Sequence, residues 1–281
     1  MFLRLVKRQD VPLAALLPNL LTTLALCCGL ASIHFSIRAA VLQAKGAPLD
    51  QIEGLWQRAL GAILLSAVFD ALDGRAARLL RVSSKFGAVL DSLSDFVSFG
   101  VAPAIILHQW TLAEFTNRTG EGSRLYLLAG LLPVMVFAVC AGMRLARFTA
   151  AANAPKTGTA APSNYFEGMP TPAAAGAVLV PALLSASKLV TLRLPEWLVA
   201  AYTLLIAFLM ISRIPMFALK RLRVSRLLVA PLLVLVAILA VMMIIDAWLT
   251  IAVLSLAYLA ATPFAVMRRR GAVEGPQAGA A

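Results

Sequence analysis

Four of the chain's seven aspartates fall between Asp70 and Asp95, inside otherwise apolar sequence. Asp70 and Asp73 stand at i,i+3 and Asp91 and Asp95 at i,i+4, so on helices each pair projects from one face. Two such helices side by side aim four carboxylates at one spot. At lipid depth each charge costs about 2.5–3.5 kcal/mol at a helix centre, and mutual repulsion adds to that, so something cationic has to compensate. Carboxylates clustered without matching His or Cys are hard oxygen donors, which select Mg²⁺ or Mn²⁺ over zinc or copper. Four of them overcharge a single ion, and two ions are expected. The acids alone also fit polar contact between helices, or the ion path of a cation transporter. Against both stand the residues fixed among the acids: Gly74, Ala77, Arg78 and Gly87.

The full spacing, Asp70-x2-Asp73-Gly74-x2-Ala77-Arg78-x8-Gly87-x3-Asp91-x3-Asp95, resembles the signature of the CDP-alcohol phosphatidyltransferase family at each of its eight defined positions. Enzymes of that family move a phosphatidyl group from a CDP-linked lipid to an alcohol and release CMP. The resemblance implies that Asp70, Asp73 and Asp91 hold the divalent ions that bridge the diphosphate. Asp95, at the end of the acidic row, would be both a ligand and the general base. Asp70, Gly74, Ala77 and Arg78 would shape and charge the CDP pocket. Leu17-Pro18-Asn19-Leu20-Leu21-Thr22 resembles the family's opening of the first helix, where Asn19 and Thr22 either face the nucleotide or simply cap the helix.

Three further stretches are similar to the phosphatidylserine synthase branch of that family: Asp95 to Pro103, Arg144 to Phe148, and Phe166 to Ala175. They depart from the branch pattern at Thr149, where Asn is expected, and at Met169 and Thr171, which replace Leu and Ser. The branch implies CDP-diacylglycerol as donor, L-serine as acceptor and a place in the bacterial inner membrane, and a homodimer is the expected assembly. Arg144 and Arg147 end a helix on the cytoplasmic side. There they serve either as topological anchors or as the charges that hold an acceptor carboxylate or lipid phosphate. The nearest alternative is a sister enzyme with glycerol phosphate, inositol phosphate or choline as acceptor. A phosphorylated acceptor would want a denser basic pocket than these two arginines offer.

The elements that position these residues are membrane helices. The 281-residue chain is 61% hydrophobic and 14% charged, with mean hydropathy +0.87, which excludes an ordinary soluble domain. Its net charge of +12 would in a soluble protein suggest nucleic acid. Here the basic residues flank apolar runs, so they report topology and contact with anionic headgroups, and no nucleic-acid partner is expected. A crossing helix needs about 20 apolar residues. Eight segments qualify: Leu17 to Ile37, Trp56 to Leu80, Ser84 to Trp110, Leu125 to Phe148, Thr171 to Leu189, Trp197 to Ala218, Leu227 to Ala247 and Trp248 to Met267. The last two meet between Asp246 and Thr250.

The expected fold is therefore all-α, a polytopic bundle with a six-helix catalytic core over 17–218 and two added helices over 219–270. A basic cytoplasmic segment precedes it (1–16) and a small polar tail, disordered, follows (271–281). With this count, 18 of the 25 Lys and Arg fall in alternate segments that include both termini, and 7 in the others. Both termini are thus cytoplasmic. Asp70 and Asp91 then lie within roughly 9–12 Å of the cytoplasmic boundary, at about 1.5 Å per helical residue. Arg38 to Arg58 reads as an external loop with a short surface helix, Ser83 or Ser84 as the cap of the third helix, and Lys156 to Gly168 as a loop long enough to cover the site. Cys27, Cys28 and Cys140 show no metal or redox spacing and read as packing residues; His34 and His108 read as interfacial.

Overall fold

The computed structural model describes residues 13–80, 84–119, 130–153, 165–190, 194–212, 215–217 and 226–273. The basic N-terminal segment, most of the loop from Lys156 to Gly168 and all but the first residues of the C-terminal tail lie outside them. In order the elements are α1 (Leu13–Ala44), α2 (Leu49–Leu79), α3 (Lys85–Asp95), a π-helical segment (Phe96–Val101), α4 (Ala102–Thr119), α5 (Leu132–Asn153) and β1 (Tyr165–Glu167). Then come α6 (Thr171–Val178), α7 (Val180–Ala186), α8 (Glu196–Ile211), β2 (Pro215–Phe217), α9 (Arg226–Ile245) and α10 (Ala247–Val273). Four stretches, Leu16–Ala44, Leu49–Leu79, Lys85–Trp110 and Leu132–Ala150, are long and apolar enough to cross a membrane, and three shorter apolar helices accompany them. This is a polytopic helical membrane protein.

α1 shows how such a helix is built. Its buried positions are Pro18, Thr22, Ala25, Gly29, Ser32, Ser36 and Ala39, spaced alternately four and three residues apart. All are small, so neighbouring backbones approach closely, while Leu20, Leu30, Ile37 and Val41 point outward. α2 packs along that stripe. Its inward positions include Ile52, Leu55, Ala59, Ile63 and Ser66, and the same spacing carries on to Asp70 and Asp73. The acids occupy the continuation of a packing stripe, at the end where the helix runs toward the membrane boundary.

Three expectations need correction. No external loop fills Arg38 to Arg58: α1 runs on to Ala44 and α2 starts at Leu49, joined by a turn over 45–48. The end of an apolar run marks the edge of the lipid, and residues such as Ala39, Ala40, Leu42 and Gln43 continue the helix beyond it. The segment from Thr171 to Leu189 is two short helices that break at Leu179. Pro181 has no N–H for the carbonyl of Ala177, and the Tyr202 hydroxyl donates to that carbonyl instead, at 2.8 Å. The helix from Trp197 does not reach Ala218 but ends at Ile211, and 215–217, which opens with Pro215, pairs antiparallel with 165–167. The expected span from Ser84 to Trp110 is present as one rod, Lys85–Trp110, with a π turn inside it. The Ala102 N–H reaches back to the carbonyl of Val97, a π turn that meets Pro103, which cannot donate.

The junction of the last two helices falls on Asp246. Its carboxylate accepts from Ser187 Oγ (2.7 Å), Lys188 N (2.8 Å) and Leu189 N (3.2 Å), and from Leu249 N (3.1 Å) in the first turn of α10. One residue thus caps α10 and ties it to the end of α7. Burial alone would push this carboxyl up, but the four hydrogen bonds outweigh it and hold it down at about 2.

Candidate active site

Three carboxylates meet where α2 and α3 come together: one oxygen each from Asp70, Asp91 and Asp95 lies within 4.8 Å of the others. The helical spacing delivers them, since Asp70 continues the buried stripe of α2 while Asp91 and Asp95 are one turn apart on α3. The Asp70 and Asp95 carboxyl groups come within hydrogen-bonding range of each other. Asp73 lies beside this group but outside it. Its Oδ2 accepts from the Thr22 hydroxyl at 2.6 Å, and the residue is 5% exposed. Thr22 Oγ1 also lies 3.0 Å from the Pro18 carbonyl. A hydroxyl has one proton, and the shorter contact with the carboxylate takes it.

Beside the acids a cleft of about 190 Å³ opens between α1, α2 and α3. Asn19, Thr22, Asp73, Gly74, Ala77, Ser84, Gly87 and Asp91 line it. The sequence expectation for a nucleotide pocket is therefore brought together in Asn19, Thr22, Gly74 and Ala77. Asp70 and Arg78 are not part of the lining: Asp70 stands in the carboxylate trio, and Arg78 is exposed one turn beyond Gly74. A Cβ on Gly74 would meet nothing within 4 Å, so this glycine leaves the wall open. Gly87 is required for a different reason: a Cβ there would come within 2.8 Å of Asn19 Oδ1 and 3.0 Å of Ser84 Oγ. Ser84 caps α3 through the Gly87 N–H at 2.9 Å, so cap, glycine and Asn19 form one wall.

Serines clamp the helices around this site. Ser66 of α2 and Ser98 of the π segment both donate to the Ala25 carbonyl, at 2.9 and 3.3 Å, and Ser94 donates to the Thr22 carbonyl at 3.2 Å. A Cβ on Gly29 would collide with Ser98 Oγ. None of these serines was singled out in the sequence, although Ser94 and Ser98 flank Asp95 on the same helix. Thr149, the departure from the branch pattern, pairs with Ser92 Oγ at 3.0 Å, one residue from Asp91.

The two arginines of α5 part company. Arg144 is partly buried, donates from Nη1 to Thr171 Oγ1 at 2.6 Å, and lies close enough to Asp95 for their charges to interact. Arg147 is exposed and donates to the Ile211 carbonyl at 3.2 Å, where α8 ends. Gly168, at φ +76°, brings the chain from β1 into α6 against the same helix end: a Cβ there would lie 2.7 Å from the Met210 carbonyl oxygen. A larger cavity of about 880 Å³ lies at the opposite end of α1 and α2, lined by Gln43, Glu53, Trp56, Trp110 and Lys188, with Glu53 the one acid in its lining among the described residues.

The family model for CDP-alcohol phosphatidyltransferase matches residues 15–212, which contain every residue of this site. The chain belongs to the CDP-alcohol phosphatidyltransferase family. A second model, CDP-alcohol phosphatidyltransferase 2, matches residues 228–263, within the two added C-terminal helices. Among curated relatives, a CDP-diacylglycerol–serine O-phosphatidyltransferase of Mycobacterium leprae is 32% identical over 94% of this chain and 78% of its own length. Proteins of the same name from Helicobacter pylori (30% over 71% of this chain and 70% of theirs) and Saccharomyces cerevisiae (43% over 44% and 40%) are also similar. This family of phosphotransferases is metal-dependent, and an oxygen-only trio of carboxylates fits a hard divalent cation.

Proposed function

We propose that the protein transfers the phosphatidyl group of CDP-diacylglycerol to the hydroxyl of L-serine, giving phosphatidylserine and CMP. The observation that carries the reading is the juxtaposition of the Asp70, Asp91 and Asp95 carboxylates with the cleft lined by Asn19, Thr22, Gly74 and Ala77. The relatives named as serine phosphatidyltransferases across most of this chain's length support the acceptor.

In this reading Asp70, Asp73 and Asp91 hold Mg²⁺ or Mn²⁺, two ions in all, with Asp95 as an additional ligand. When bound, the ions neutralise the diphosphate and polarise the phosphorus under attack. Asn19, Thr22, Gly74 and Ala77 receive the cytidine end, and Arg78 adds positive charge at the rim. Thr22 fixes the Asp73 carboxylate through its hydroxyl and so orients it toward the cleft. Asp95 takes the proton of the serine hydroxyl as that oxygen bonds to the phosphorus bearing diacylglycerol. The bond from this phosphorus to the bridging oxygen breaks, and CMP leaves with the electron pair. Arg144 holds the serine carboxylate, and Arg147 supports the end of α8. The protein works as a homodimer in the bacterial inner membrane, with the cleft facing the cytoplasm.

The test is a product assay with purified protein, CDP-diacylglycerol and Mg²⁺ or Mn²⁺, offering serine, glycerol phosphate, inositol phosphate or choline separately. Phosphatidylserine with stoichiometric CMP is expected from serine alone. EDTA should abolish turnover and Mg²⁺ or Mn²⁺ restore it, with zinc a poor substitute. Ion flux in proteoliposomes without CMP release would replace the reading with a transporter.

A further inference from the structure

Arg144 Nε and the Tyr258 hydroxyl are both buried and lack a hydrogen-bond partner among the described residues. Tyr258 sits on α10, within the stretch matched by the second family model, and its ring packs against the main hydrophobic cluster. Arg144 grips Thr171 at the start of α6, and Tyr258 is carried by α10, which packs along α6. The last helix thus brings a phenol to the side of α6 where Arg144 is anchored, and Arg144 is within electrostatic range of Asp95 at the end of the metal row. Its Nη1 is already committed to Thr171, which is fully buried, so the guanidinium is held in place while Nε stays unspent.

Buried donors without acceptors are costly unless a ligand satisfies them. The ligand that suits this pair is a carboxylate, because it is acceptor-only, carries the charge Arg144 lacks, and offers two oxygens to two donors. Its position beside Asp95 fits an acceptor whose hydroxyl must reach that same acid, with two carbon atoms between hydroxyl and carboxylate. We propose that Tyr258, together with Arg144, forms the subsite for the acceptor's carboxylate, so that the C-terminal helix pair takes part in choosing the acceptor. This rests on the phosphatidyl-transfer reading above. α10 is positioned for the task by Asp246, which fixes its start against α7, and by its packing along α6 and α7. Acceptors without a carboxylate would leave both donors buried and unpaired, which is the discrimination a polar subsite exerts most strongly.

The test uses the full-length enzyme in mixed micelles, with CMP release measured against serine at saturating CDP-diacylglycerol and against CDP-diacylglycerol at saturating serine. Tyr258→Phe keeps the ring and removes only the hydroxyl. It should raise the KM for serine about tenfold, the loss expected for one hydrogen bond to a charged group, and leave the KM for CDP-diacylglycerol within about twofold. Inhibition by 3-hydroxypropanoate, which has the carboxylate, should weaken in parallel, and inhibition by ethanolamine, which lacks it, should not. Arg144→Lys should shift the serine KM in the same direction, and the double variant should fall short of the product of the two effects, because both lose one shared ligand. An unchanged serine KM in Tyr258→Phe overturns the assignment. So does a rise confined to CDP-diacylglycerol, which would make the pair a lipid-phosphate site, or an equal rise for both substrates, which would make it structural. Wild-type enzyme that releases no CMP with serine overturns the phosphatidyl-transfer reading itself, and this inference with it.

Discussion

Thr22 holds Asp73 apart from the three clustered acids, while the proposed roles divide the acids otherwise, Asp95 as base and Asp70 and Asp73 as ligands, and neutralisation should reveal that division. Asp95→Asn keeps the side chain's size and two of the three clustered carboxylates, so it should retain metal-dependent binding of the CDP-lipid while turnover falls about 10²- to 10⁴-fold, the usual cost of a lost general base. Asp70→Asn and Asp73→Asn should weaken metal and nucleotide binding together. Binding and single-turnover CMP release measured on each variant decide the matter: if Asp95→Asn loses binding as fully as Asp73→Asn, Asp95 is a ligand first and the base lies elsewhere. The acids were legible in the sequence because helical spacing alone puts i,i+3 and i,i+4 residues on one face. The Thr22–Asp73 contact was not, since the partners are 51 positions apart and only the packing of α1 on α2 joins them. For the same reason Arg144 and Arg147, three residues apart, looked equivalent until their partners on α6 and α8 were seen.

Among the elements, the breaks carry more information than the spans. Long apolar runs marked α1, α2, the α3–α4 rod and α5 in the sequence, because lipid demands continuous apolar surface. The Leu179 break was hidden inside a run that stays apolar while Pro181 interrupts the hydrogen bonding, and the end of α8 lay where the expected span was carried through Ser212 and Arg213. Asp246 is the most testable of these junctions. Its folded carboxyl sits below the ordinary carboxylate value of about 3.9, so the stabilisation is fully present above pH ~4 and is lost as pH falls toward about 2. Asp246→Asn should lower the thermal midpoint at neutral pH, since an amide oxygen accepts more weakly and its NH₂ faces backbone donors, a change worth about 2 kcal/mol. The gap between wild type and variant should narrow as pH is taken from 4 to 2. A gap that is constant across that range would mean that the carboxylate's charge is not what holds α10 to α7.

For the molecule as a whole, the alternation of basic residues predicts that both termini share the cytoplasmic side. Reporter fusions after Met267 should score as cytoplasmic, and a periplasmic result would require an odd number of crossings. The structure makes this test sharper, because the pair α6 and α7 replaces the expected single fifth span: 8 and 7 residues, broken at Leu179, must together do the work of one crossing. Only Asp246 separates α9 from α10, so whether the chain crosses back there decides where the end after Met267 lies.

The cleft is bounded by exposed apolar neighbours of its own lining residues: Leu20 beside Asn19, and Phe86, 69% exposed, beside Gly87. A donor lipid can approach such a site sideways, with its acyl chains never leaving the bilayer. The enzyme then meets one substrate in two dimensions and the other in three, and the variable that sets its saturation by donor is mole fraction in the surface, not molarity. Adding inert detergent at fixed total CDP-diacylglycerol should slow the reaction as the surface is diluted, while the same dilution leaves the dependence on serine untouched. A rate indifferent to detergent would mean that the donor reaches the cleft through water.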